Sequence, residues 1–354
     1  MNLDGKALLA QLKPKQLKSI KTTAQFMTAR HSPDGAMLAA GTMTGTIQRF
    51  TTKEDAFTEQ PALTGHHGFV VGLIFHPDGQ RLFSADSWGE LRCSNFMGVG
   101  TVQWSLPNAH DGWVRQIAIS PDGATLASVG MDRRIRIWST VDGKRLHEID
   151  ALEDTYSLIY TGDGKHLVTG DLRGIIREWD IATGKPLREL DAKVLFRYDR
   201  IQEVGGVRRL LFSPDGKTLF AAGCQPSSGG FVQGVPTLLR YDWATGKALQ
   251  TLKFGGDADG FIHDLLWHPS GCLAMVTSGQ PGNGNLLLLV PGEETAFLTT
   301  RIGNCHAVSL ALDRKRLIVM ATNGGSSGNG RLNSKNEADY PANHSPIVVW
   351  QLEG

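Results

Sequence analysis

His31-Ser32-Pro33-Asp34-Gly35, His76-Pro77-Asp78-Gly79 and Ser120-Pro121-Asp122-Gly123 are three copies of one turn, and their spacing decides the fold. Asp34, Asp78 and Asp122 stand 44 residues apart at each step. Weaker copies follow at Gly162-Asp163-Gly164, Ser213-Pro214-Asp215-Gly216 and His268-Pro269-Ser270-Gly271. Proline in second place and glycine in fourth suit a type I turn. Short apolar segments flank each copy: residues 69–75 (Phe-Val-Val-Gly-Leu-Ile-Phe) come before the second turn, and residues 81–85 follow it. Each copy therefore reads as the loop of a β-hairpin. A unit of this length cannot bury its own apolar face, so the copies must pack on one another.

A third strand follows each hairpin, at Ile135-Arg136-Ile137-Trp138, Ile175-Ile176-Arg177-Glu178-Trp179, Leu238-Leu239-Arg240-Tyr241 and Ile347-Val348-Val349-Trp350. Second turns (Asp142-Gly143-Lys144, Thr183-Gly184-Lys185, Thr245-Gly246-Lys247) then lead into fourth strands. Four strands in about 40–45 residues is the period of a propeller blade. Ile137-Trp138-Ser139, Trp179-Asp180 and Tyr241-Asp242 resemble the Trp-Asp ending of the WD-repeat family, and Gly65-His66 and Ala109-His110 resemble its Gly-His opening. The resemblance runs from about Lys15 onward. Its turn-rich style, with degenerate Trp-Asp endings, looks more like bacterial members than eukaryotic ones.

The expected fold is all-β: a seven-bladed β-propeller of four-stranded antiparallel blades. Inner strands are expected over residues 26–30, 69–75, 114–119, 155–160, 207–212, 262–267 and 307–312. Residues 1–14 read as an N-terminal extension and 15–354 as the single propeller. The family closes its last blade with an N-terminal strand. Residues 14–20 match residues 143–149 in spacing, while the sequence stops two residues after Leu352, so the two ends are expected to pair and remove an open edge.

The bulk composition excludes more than it assigns. There are 36 basic and 35 acidic residues, so no electrostatic footprint for nucleic acid or an acidic membrane stands out. No apolar run approaches the ~20 residues that span a bilayer, and Ala7-Leu8-Leu9-Ala10 is too short for a signal-peptide core. Cys93, Cys224, Cys272 and Cys305 show no metal or redox spacing and read as buried thiols. A soluble, cytoplasmic protein is expected, without cofactor or metal. Asp257-Ala258-Asp259-Gly260 opens like a calcium loop but lacks the remaining oxygens and the closing glutamate. Any metal site is expected to draw on several blades.

The family resemblance implies that His110, Ser128, Asp132 and Trp138 form a buried structural tetrad in blade three, rather than a Ser-His-Asp catalytic set. Blade two keeps His66 and Ser84 but has Trp88 where aspartate is expected. Blade four keeps Thr169 and Trp179 but has Ala151 and Arg173 at the histidine and aspartate positions. Equal stability of all blades is therefore not expected.

The resemblance further implies a non-enzymatic interaction scaffold, monomeric or within a hetero-complex, that binds protein and not nucleic acid. Phe69, Trp113 and Phe261 enter the inner strands of blades two, three and six on one face, with Trp88 beside them. Met131, Asp154 and Arg173 complete the candidate partner-binding set. Aromatics of this kind dominate binding energy when a partner covers them. Insertions at residues 223–236, 279–285 and 323–346 fall at one topological position in blades five to seven and should crowd the same face. The alternative is a propeller enzyme or small-ligand binder, lactonase-like or quinoprotein-like, at the central channel mouth, where His306, Asp154 and Glu203 are the residues available.

Overall fold

The third turn explains how each repeat is built. Ser120 Oγ donates to Asp122 Oδ1 at 2.6 Å, and the same carboxylate oxygen accepts the Ala124 N–H at 3.0 Å. Gly123 adopts φ +75°, in the left-handed region that glycine alone enters freely, and its N–H closes the turn on the Ser120 carbonyl at 2.9 Å. Thr161–Asp163 and Ser213–Asp215 repeat the contact at 2.6 Å each. Side chain and backbone thus set the same hairpin register at successive copies.

The structure, a computed structural model, describes residues 4–52, 57–199, 201–227, 234–311, 313–322 and 344–352. These form seven four-stranded antiparallel sheets arranged as a β-propeller. The inner strands are Phe26–His31, Val70–Phe75, Val114–Ile119, Thr155–Tyr160, Arg209–Phe212, Phe261–Trp267 and Cys305–Leu310. The cores lie between neighbouring sheets. Ala127, Val129 and Ile137 of blade three, for example, share one cluster with Leu158, Leu167 and Trp179 of blade four. Each blade therefore depends on the next for burial.

Lys15–Ile20 is the outer strand of blade seven, antiparallel to Ile347–Gln351, with Lys15 opposite Gln351 and Ile20 opposite Ile347. The stitching continues past the ladder. Thr22 Oγ1 donates to the Ser345 carbonyl at 2.6 Å, and Ser345 Oγ accepts the Phe26 N–H at 2.8 Å. The expected closure is present.

Three features go beyond the expected plan. Gly5–Leu12 is a helix capped by Asp4, whose side chain accepts the Lys6 N–H at 2.9 Å. Its Leu8 and Leu12, one turn apart, enter the core between blades six and seven. Between blades four and five a small hairpin, Phe196–Asp199 with Gln202–Gly205, rises from the ring. Gly205 (φ +110°) ends it, and a Cβ there would collide with the Leu195 carbonyl. In blade five the second and third strands run on as nine-residue partners, Thr218–Pro226 and Gly234–Asp242. Much of that expected loop is thus sheet, and residues 228–233 lie outside the described residues. So does 323–343, most of the blade-seven insertion. The blade-six insertion is pinned by Asn304, whose Nδ2 donates to the carbonyls of Gly279, Gln280 and Asn283 at 3.0–3.1 Å.

Candidate functional site

Six of the seven inner strands carry an irregularity near their start, where one residue faces no partner. Val114 pairs with Gly130 and Gln116 with Val129, leaving Arg115 between them. The same shift isolates Met27, Val71, Tyr156, His263 and His306. In blade five Arg208 takes this place, its N–H bonded to the Ala222 carbonyl at 2.8 Å. A bulge re-aims a side chain, and these seven residues, one per blade, line the mouth of the central channel around a cavity of about 240 Å³. A second cavity of about 300 Å³ shares Val71, Arg115 and Arg209 with it and continues along the channel. An open groove of about 1010 Å³ lies instead between blades five and six at the Ser-Pro-Asp-Gly turns.

The ring is polarised. Met27 and Val71 are apolar, whereas the other five positions run cation, aromatic, cation and then two imidazoles. Arg115 lies 4.4 Å from the Tyr156 ring and 5.7 Å from Trp113, and Arg208 lies 3.8 Å from Tyr156 and 4.7 Å from Phe261. His263 meets His306 edge-on at 5.5 Å. Burial lowers the pKa of both imidazoles, to about 4 for His306, and the neighbouring arginines push His263 the same way. Burial, reinforced by the Arg316 charge, also lowers His31 to about 4.

These histidines fold in neutral form, and the unfolded chain binds their protons first as pH falls. Stability is then complete above about pH 6.5 and declines towards pH 4. Melting temperatures from pH 8 to 4 should follow that course, and His306→Gln should flatten part of it. An unchanged slope in the variant would remove His306 from the account.

The partner-binding candidates divide in two. Trp88 is 69% exposed, its ring stacked on His67 at 6.2 Å, and Met131 is 47% exposed. Phe69 and Trp113 are half-buried and pack edge-to-face across blades two and three at 5.9 Å. Phe261 is half-buried against Arg208. Asp154 is engaged with Arg115 at 3.0 Å, and Arg173 with Glu153 and Glu203 at 3.1 and 2.9 Å. Glu203 sits on the small hairpin, so His306, Asp154 and Glu203 do not converge on one centre. The arginines of the ring were not among the sequence candidates. Their signal, a place beside the start of an inner strand, emerges only once the strand register is known.

In blade three, His110 Nδ1 meets Asp132 at 2.8 Å, and His110 Nε2 meets Ser128 Oγ at 2.7 Å. Trp138 Nε1 donates to Ser128 Oγ at 2.9 Å. Burial works against the Asp132 carboxylate, but hydrogen bonds from His110 and Arg136 outweigh it and hold its pKa below the usual range. Ser128 and His110 are buried within this network, whose geometry is that of a structural lock.

Blade two reaches the same end by another route. Asp86, two residues before Trp88, accepts the N–H groups of Gly68, Trp88 and Glu90 at 3.1, 2.9 and 2.9 Å. Its Oδ2 lies 3.2 Å from His66 Nδ1, with Glu90 Oε2 at 3.6 Å. His66, Asp86 and Glu90 are the one group with metal-ligand spacing among the described residues. They come from a single blade, whereas a site shared by several blades was expected. Glu90 Oε1 is already held by Arg92 and Ser105, at 2.5 and 2.6 Å.

Comparison with known proteins agrees with this architecture. The family described as WD domain, G-beta repeat matches residues 57–93 and 100–139, from the outer strand of blade one to the third strand of blade three. The chain is 33% identical over 135 residues to Periodic tryptophan protein 2 of Arabidopsis thaliana, covering 38% of this chain and 14% of that protein. It is 29% identical over 145 residues to WD repeat-containing protein SL1-17 of Schistosoma mansoni, covering 40% and 46%. To the small ribosomal subunit protein RACK1y of Oryza sativa it is 29% identical over 106 residues, covering 27% and 29%. The matches thus span less than half the length of each relative. All three relatives are eukaryotic, so the bacterial style expected from the turns gains no support.

Proposed function

We propose that this chain is a WD-repeat protein that acts as a non-enzymatic scaffold, docking protein partners on the face where the inner strands begin. One observation carries the reading: Trp88 stands 69% exposed on that face, with Met131 also exposed and the Phe69–Trp113 pair running in towards the channel mouth. A large aromatic held in water by rigid strands is the usual anchor of a protein interface. The similarity to WD-repeat and ribosome-associated proteins supports it. Four free, buried cysteines fit a reducing compartment, in keeping with a cytoplasmic location.

The test compares partners captured by the wild-type chain and by the Trp88→Ala/Trp113→Ala double variant. Loss of each anchor should cost about 2 kcal/mol or more in partner affinity. Because Trp113 is half-buried, Trp88→Ala alone serves as the variant without a packing defect. A partner profile identical to wild type in both variants would take this face out of consideration.

A further inference from the structure

The channel mouth holds cations that the chain does not neutralise. Arg30, Arg115, Arg208 and Arg209 reach its two cavities, and Asp154 and Asp264 are the carboxylates paired with them. Both Asp154 oxygens are committed to Arg115, at 3.0 and 3.4 Å. Both Asp264 oxygens are committed to Arg30, at 2.7 and 3.2 Å, and one also accepts the Val308 N–H at 3.2 Å. Arg209 is left 3.6 Å from Asp264, with its buried Nε unbonded. Arg208 has no carboxylate within ion-pair distance among the described residues, and its Nε is likewise buried without a partner. Its guanidinium rests on the rings of Tyr156 and Phe261. Ring faces attract a cation, but by less than a buried guanidinium loses on leaving water. With His263 and His306 neutral, no nearby imidazole adds to or offsets this surplus.

We propose that the channel mouth is a binding site for a small oxyanion, of the size of phosphate or a short dicarboxylate, held by Arg208 and Arg209. A guanidinium fork matches the paired oxygens of such a group. The cavity of about 240 Å³ is below the range usual for drug-sized ligands, which limits the occupant to a small one. Trp113, Tyr156 and Phe261 wall the site and strengthen the charge interaction by keeping water away. The proposal stands apart from the scaffold reading, since it needs no partner. An acidic side chain on a docked protein would present the same chemistry, and titration with the free anion alone separates the two sources.

The experiment titrates the purified full chain with inorganic phosphate and with malonate in low-salt buffer, by calorimetry and by thermal melting, against chloride at matched ionic strength. One saturable site per chain is expected, with a melting rise of several degrees beyond chloride. Arg208→Met should weaken binding at least tenfold. In anion-free buffer it should melt no lower than wild type, because it removes an uncompensated charge. Arg188→Met should bind as wild type, since Arg188 is stacked on Trp243 at 3.9 Å outside the channel. If Arg208→Met fails to fold, Arg208→Gln replaces it, and the wild-type titration against chloride still decides. No saturable effect beyond chloride, or an Arg208 variant that titrates like wild type, overturns the proposal.

Discussion

A chain lacking residues 1–21 is expected to melt about 10 °C below the full chain, or to aggregate before it melts. The deletion strips the outer strand of blade seven from Ile347–Gln351 and leaves that strand as an open edge. Several ladder hydrogen bonds are lost, worth about 0.5–1.5 kcal/mol each. Leu8 and Leu12, buried between blades six and seven, contribute a further ~1.5–3 kcal/mol apiece. At roughly 1–2 °C per kcal/mol for a chain of this size, the sum gives a fall of that order. Deleting residues 1–13 alone separates the contributions: the helix goes, the strand stays, and the loss should be clearly smaller. A 1–21 deletion melting within about 2 °C of the full chain would show that the ring does not depend on this strand.

The closing strand was legible because residues 14–20 repeat the spacing of a fourth strand already seen in blade three. The helix before it was not read, although Leu8 and Leu12 stand four apart, because eight residues give too few turns for a helical period to show. The small hairpin at Phe196–Gly205 lay hidden in the unusually long connection between blades four and five. Site residues divide along a similar line. Trp88 was legible as a misfit, a tryptophan where the repeat calls for aspartate. Asp86 was not, because it restores the lost contact from a position two residues away, where the family pattern has no polar requirement. The arginines of the channel were illegible for a geometric reason. Arg208 and Arg209 look like an ordinary surface pair in a line of text, and only the folded ring places them at the channel mouth. Repeat statistics capture what every blade shares; the charge of the channel depends on the single residue in which the blades differ.

Arg49 extends that point to stability and should give the largest loss of any single substitution considered. Its side chain is buried in the third strand of blade one, at 2% exposure. Nε donates to the Pro61 carbonyl at 2.7 Å, Nη1 to Phe96 at 2.5 Å and to Gly98 at 3.1 Å, and Nη2 to Gly98 at 3.2 Å. The guanidinium also packs beside the Phe96 ring at 5.7 Å. One side chain therefore serves as donor to three carbonyls on two blades, and burial alone lowers its pKa from the ordinary arginine range. Arg49→Ala removes those donors, strands the carbonyls and opens a void, for a loss of about 3–5 kcal/mol. Lysine cannot replace it: a single ammonium lacks the planar fork that reaches Pro61, Phe96 and Gly98 together, so Arg49→Lys should recover less than half of the loss. Calorimetric melting of the two variants against wild type measures both quantities. A loss below about 1 kcal/mol for Arg49→Ala would mean that water supplies those carbonyls as well as the guanidinium does, and that the seam between blades one and two is held by apolar packing alone.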